Sequence, residues 1–238
     1  MDSSFLAEEE KLRGIFVVTT ALLLSLSCVV PAFAGVVTAS SAGPLPGSAQ
    51  DLVGLFPTEI IGSLSLTDPN DVNMFKVLVY EPAQFFALAN AVSFGAPDTV
   101  LSLFDSSGAG VYLNDDISGS DTLSCLPSDI LNPCPSIRGG IGPGAFGIYY
   151  LAISRSANYP IDSSSNEIFS PVLFTDVVGP SVTNPVAGWD GGSFTSPNFD
   201  LINYDITLGG TIPEPGTMCL TGAAGGLLLM AVRRRRSS

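Results

Sequence analysis

The chain has 238 residues, a formal net charge of −13 and no histidine. Without histidine a Ser-His-Asp or Cys-His catalytic arrangement is excluded, and the acidic balance repels nucleic acid, whose phosphates require Lys and Arg. Charged residues make up only 13% of the chain, beside 25 Gly and 18 Pro, which suits strands and turns better than amphipathic helices.

Residues 1–34 carry the pattern of a secretory signal peptide. Lys11 and Arg13 form a positive n-region, and Gly14 to Val30 is an apolar run broken by Pro31. Ala32-Phe33-Ala34 then supplies a small-x-small cleavage pattern, with the cut after Ala34 and export by the Sec machinery. The acidic residues Asp2, Glu8, Glu9 and Glu10 ahead of the n-region are unusual for such a segment. Cys28 is not a lipidation site, because Ser25 stands where a branched apolar residue is wanted.

Residues 35–50 are small and polar and read as a linker. Residues 51–210 read as one β domain. Between Gly35 and Ile212 there are 17 acidic residues and three basic ones (Lys76, Arg138 and Arg155), a balance of −14. Val, Ile, Leu, Phe, Thr and Tyr recur in short runs punctuated by Gly, Pro, Asn and Asp. The spacing predicts strands over Ile60–Leu66, Asp71–Tyr80, Gln84–Val92, Thr99–Phe104, Gly110–Leu113, Gly147–Ser154 and Leu201–Leu208. The fold class expected is all-β, an antiparallel β-sandwich or jelly roll. Arg155 to Asn198 is ambiguous, with one or two strands near Ile168–Phe174 within loops rich in Ser, Asn and Pro.

Four segments of this region carry a resemblance. Asp71-Val72-Asn73-Met74-Phe75, Asp98-Thr99-Val100-Leu101-Ser102-Leu103-Phe104-Asp105, Asn114-Asp115-Asp116 and Gly144 to Ser154 stand in this order. Together they resemble bacterial pre-peptidase C-terminal type domains over roughly residues 60 to 155. The resemblance implies a non-catalytic accessory β-sandwich of a secreted protein. Asn73 departs from it, standing where that family has an Asp.

Cys125 and Cys134 are the only cysteines of the body. In an exported chain they read as one disulfide closing a loop, contributing roughly 2–3 kcal/mol by loop entropy. Zinc is not supported, since two thiols without histidine do not complete a structural site.

Asp98, Asp105, Asn114, Asp115 and Asp116 are the sharpest constellation. If Thr99–Phe104 and Gly110–Leu113 pair as a hairpin, Asp105 lies at its turn and the other four gather at the opposite end. Oxygen ligands on loops suit Ca²⁺; the same residue types also serve turns through bonds to their own backbone. The single Trp189, with Tyr159, Phe194, Phe199 and Tyr204, offers either an aromatic platform for sugar rings or core packing. No carboxylate pair is placed at a cleft by the sequence, and no glycine-rich phosphate cradle follows a strand.

The tail begins with Pro213-Glu214-Pro215 in the segment 211–217. Met218 to Val232 then form a 15-residue apolar run, and Arg233, Arg234, Arg235 and Arg236 lead the basic tail 233–238. As a transmembrane helix the run spans roughly 22 Å, short of a hydrocarbon core of about 30 Å, a deficit that snorkelling arginines can cover. The arginines keep the C-terminus cytoplasmic. The three elements in this order resemble the PEP-CTERM sorting signal, which implies cleavage near the Pro-Glu-Pro by an exosortase-type membrane protease.

The function expected from these readings is that of a non-enzymatic exported protein of the cell surface or extracellular matrix, held transiently in the membrane. The alternative is a calcium-dependent or polysaccharide-binding, adhesin-like module. Ice binding is a third idea that the body does not favour, for want of a regular Thr-x-Thr array.

Overall fold

The computed structural model describes residues 35–65, 67–68, 70–90, 92, 98–127, 142–170, 173–191 and 201–213. Nearly all of them fall within one compact unit, Phe33–Ile212. The expected signal peptide and transmembrane helix lie outside the described residues. Among those residues no helix is long and apolar enough to cross a membrane.

The fold is all-β. Its strands are β1 (Gly35–Thr38), β2 (Gln50–Asp51), β3 (Pro57–Ser65), β4 (Asn73–Val79), β5 (Phe86–Asn90), β6 (Thr99–Asp105), β7 (Gly110–Asn114), β8 (Cys125–Leu126), β9 (Gly147–Arg155), β10 (Pro160–Ile161), β11 (Val177–Val178), β12 (Gly188–Trp189) and β13 (Leu201–Gly209). One sheet runs β1-β3-β13-β5-β8, a second β11-β7-β6-β9-β4-β2, and β10 pairs with β12. Pairing is antiparallel except for β1 on β3 and β2 on β4, which are parallel, so the two large sheets are mixed rather than wholly antiparallel as expected.

Strand alternation builds the core between the two sheets. Phe75, Val77, Leu101, Leu103, Leu151 and Ile153 point inward from the six-stranded sheet and meet Ile60, Leu64, Ala87, Ala89 and Ile206 of the other. Side chains of the opposite parity then face the outer side of the six-stranded sheet. There Met74, Val100, Phe104, Leu113 and Ala152 form a second buried cluster with Tyr159, Ile168, Phe169, Val186 and Trp189. The segment after β9 thus folds back as a cap, which leaves six of the seven residues of β6 buried. Close approach fixes Gly110 under this cap. A Cβ there would stand 2.7 Å from both Ile168 Cγ2 and Phe169 Cζ.

Two further expectations change. Residues 35–50 are part of the fold rather than a linker: β1 joins the sheet, Met74 N donates to Gly43 O at 3.1 Å, and the Gln50 amide donates to Thr38 O at 3.1 Å. No strand covers Ile168–Phe174 among the described residues; Phe169 makes one isolated bridge to Pro180. The ambiguous stretch instead supplies β10, β11 and β12, each two residues long.

Candidate cation site

β6 and β7 form the expected hairpin, with Leu101 opposite Asn114 and Leu103 opposite Tyr112. Its turn is organised by Asp105. Oδ1 of Asp105 accepts hydrogen bonds from Ser107 N at 2.8 Å, Ser107 Oγ at 2.6 Å and Ala109 N at 3.1 Å. Asp105 therefore serves the turn and stands apart from the other candidates.

The open end of the hairpin gathers the rest. Asp98 precedes β6, and Asp115 and Asp116 follow β7. The end of β9 lies alongside, where Ser156 N donates to Asp98 O at 3.1 Å. One carboxylate oxygen from each of Asp98, Asp115 and Asp116 lies within 4.8 Å of the others. Oxygens around one Ca²⁺ at about 2.4 Å can be no more than about 4.8 Å apart, so the trio fits a single ion.

Asn114 does not join it as a free ligand. Its Nδ2 donates to Asp116 O at 3.0 Å and Asp176 O at 3.2 Å, and its Oδ1 accepts from Cys125 N at 2.8 Å. Both ends of the amide are engaged, so Asn114 shapes the loop that aims its two neighbours. Asp116 N donates to Phe174 O at 2.9 Å and fixes the far side of that loop.

Asp115 is 1% exposed. Its Oδ2 accepts the Tyr159 hydroxyl at 2.6 Å. Its Oδ1 is buried without a hydrogen-bond partner, as is Oδ1 of Asp98. Burial raises the Asp115 carboxyl to about 7; the Tyr159 hydrogen bond opposes this, and the Asp116 and Asp98 charges add to it. Burial also lifts Asp98, against a hydrogen bond from the Ser156 side chain that reaches Asp115 as well, and it lifts Asp116 with help from Asp98 and Asp121. Tyr159 is held protonated, chiefly by burial and then by its bond to Asp115. Two buried oxygens without donors, in a group of three acids, are costly as an isolated arrangement. A bound dication would satisfy them and invert the local pKa logic.

Tyr159 also ties the site to the cap. Its N–H donates to Asp190 Oδ1 at 2.8 Å, and Asp190 N donates back to Tyr159 O at 3.0 Å. Sequence reading missed this hydroxyl as part of the site. It lies 44 residues from Asp115, with no local pattern to join them.

Among the described residues no exposed aromatic platform forms around Trp189. Trp189 is buried against Phe104, with ring centroids 6.4 Å apart at 84°, and its Nε1 donates to Pro44 O at 2.8 Å. Tyr204 belongs to the other core, between the sheets. Phe194 and Phe199 lie outside the described residues. Asn73, the departure noted above, donates from Nδ2 to Ser63 O at 2.9 Å and to the Tyr204 hydroxyl at 2.8 Å. An ionised Asp has no donor for either contact, so Asn suits this position.

Cys125 is buried in β8; Cys134 lies outside the described residues. So do Ala32, Ala34, Glu214, Pro215 and Arg233 to Arg236, while Pro213 is the last residue described. The chain matches no protein-family model and no curated protein.

Proposed function

We propose that this protein is a non-enzymatic, exported surface module whose all-β body binds a hard divalent cation, calcium in the first instance. The observation that carries the reading is the trio Asp98, Asp115 and Asp116, with carboxylate oxygens inside 4.8 Å of one another and two buried Oδ1 atoms lacking donors. Calcium takes six to eight oxygens and tolerates irregular geometry, so three carboxylates plus water suffice. Calcium outside the cell is abundant enough to load even a weak extracellular-type site.

The sorting part of the reading is supported by the sequence. The signal-peptide pattern of residues 1–34 and the Pro-Glu-Pro, apolar run and arginine cluster of residues 213–236 bracket the body. Export by the Sec route, a transient C-terminal anchor and exosortase-type cleavage follow from them. The Cys125–Cys134 bond belongs to the same proposal; it is supported by the burial of Cys125 in β8. A polysaccharide partner is a weaker second reading now that Trp189 is committed to the core.

Calcium titration followed by calorimetry and thermal melting tests the main claim. Saturable binding with a raised midpoint supports it; an identical melt in calcium and in chelator refutes it. Intact mass of the product recovered from the envelope tests the rest. Loss of Met218–Ser238 supports sorting, and a body lighter by two hydrogens than its reduced form supports the disulfide.

A further inference from the structure

The pole opposite the acidic trio collects both ends of the body and an aromatic row in which Phe56 and Tyr80 are half-buried and Phe146 is exposed. Gly35 N donates to Phe56 O at 3.4 Å, Tyr80 N and Glu81 N donate to Gly210 O at 2.8 and 3.0 Å, and Thr211 Oγ1 donates to Pro57 O at 2.6 Å. Gly210 directs this exit with φ +72, and a Cβ there would meet Glu81 O and the Phe85 backbone at 2.7 Å. Beside these strand ends, the Phe56 and Tyr80 rings pack tilted with centroids 5.9 Å apart, and Tyr80 and Phe146 pack edge to face at 5.6 Å. Phe146 is 62% exposed, and Leu55, next to Phe56, is 53% exposed. Phe56 is held at φ 49, a left-handed conformation that is unfavourable for a bulky side chain. Strain of this kind persists where surroundings impose it and clusters at functional surfaces.

The chain leaves this pole at Pro213, and the apolar run begins at Met218. The five residues 213–217 reach at most about 17 Å even when fully extended. A body anchored by that run is therefore kept with this pole near the lipid headgroups. Aromatic side chains are enriched at that depth, because their apolar bodies and polar tips suit it.

We propose that the Phe56–Tyr80–Phe146 pole is a membrane-contacting surface that rests on the lipid interface while the C-terminal run anchors the chain. The partner is a neutral, zwitterionic bilayer surface, because Glu81 and Asp105 at the same end disfavour anionic lipid. The inference rests on the anchor reading of the tail.

The test uses the chain from Gly35 to Ser238 inserted in vesicles of brominated phosphatidylcholine, whose bromines quench nearby indoles. Trp189 is buried and gives a fixed background. In Phe146→Trp the added indole stands at this pole; in Phe174→Trp it stands at the acidic end, where Phe174 is 61% exposed. The expected result is loss of most of the added emission, with a blue shift, in Phe146→Trp and retention in Phe174→Trp. Vesicle-bound chain with neither indole quenched, or with both quenched alike, overturns the inference alone. Chain that does not co-float with the vesicles overturns the anchor reading, and this inference with it.

Discussion

Replacing Asp115 by Asn should stabilise the calcium-free protein at neutral and alkaline pH while abolishing its response to calcium. The Asp115 carboxyl is raised from its ordinary value of 3.8 to about 7, mainly by burial. At 1.36 kcal/mol per pH unit, its ionised form is disfavoured by roughly 4 kcal/mol. Between those two values the folded state binds more protons than the unfolded state, so stability falls as pH rises through this window and stays low above it. Asn keeps an acceptor for the Tyr159 hydroxyl and places an N–H₂ donor beside the Asp98 and Asp116 oxygens. It remains a buried amide, so we expect about half of the penalty to be recovered. That is about 2 kcal/mol, or about 4–8 °C of melting midpoint for a domain of this size. The assay is thermal melting at pH 5 and pH 8, each in calcium and in chelator. Wild type should melt lower at pH 8 than at pH 5 in chelator, and calcium should reverse that order. Asp115→Asn should lose the calcium response and show a smaller difference between the two pH values, the remainder coming from Asp98 and Asp116, which burial also raises. A variant that melts at or below wild type in chelator at pH 8 would refute the argument, because the buried carboxylate would then not be a source of stress.

Three further predictions are independent of the anchor. Tyr159→Phe removes the donor to Asp115 Oδ2; it should lower stability at pH 8 by about 2 kcal/mol and move the Asp115 titration upward, read from the pH–melting profile. Asp162 is held down to about 2 by Asn184, then by the backbone and side chain of Asn166. Its carboxylate stabilises the fold above its ordinary value of 3.8 and loses that effect as pH falls towards 2, so Asp162→Ala should melt lower at pH 7 and show a shallower acid limb between those values. Phe75→Ala, at a fully buried position between the sheets, should cost about 3–5 kcal/mol, seen as a lower urea midpoint with an unchanged slope.

Local composition was enough to place the seven longer strands, because runs such as Gly147–Arg155 are rich in β-branched, aromatic and other apolar residues and are bounded by turn residues. The hairpin of β6 and β7 then followed, and with it the separation of Asp105 from Asp98, Asp115 and Asp116, since a two-stranded ladder puts turn and open end a strand length apart. That β6 is covered on both faces came only with the structure, which buries six of its seven residues. Strands of two residues such as Pro160–Ile161 and Gly188–Trp189 are below the length at which a period can be detected. Their existence depends on the cap closing over Met74, Val100 and Phe104.

Local pattern determined where the chain is extended and where it turns, because side-chain alternation and turn chemistry act over a few residues. Tertiary packing decided the rest: the Trp189 indole donating to Pro44 across 145 residues, Tyr159 reaching Asp115 across 44, and Asn73 bonding Tyr204 across 131. Those contacts form where two sheets and a cap exclude water from polar groups that must then find one another, and separation along the chain carries no trace of that constraint.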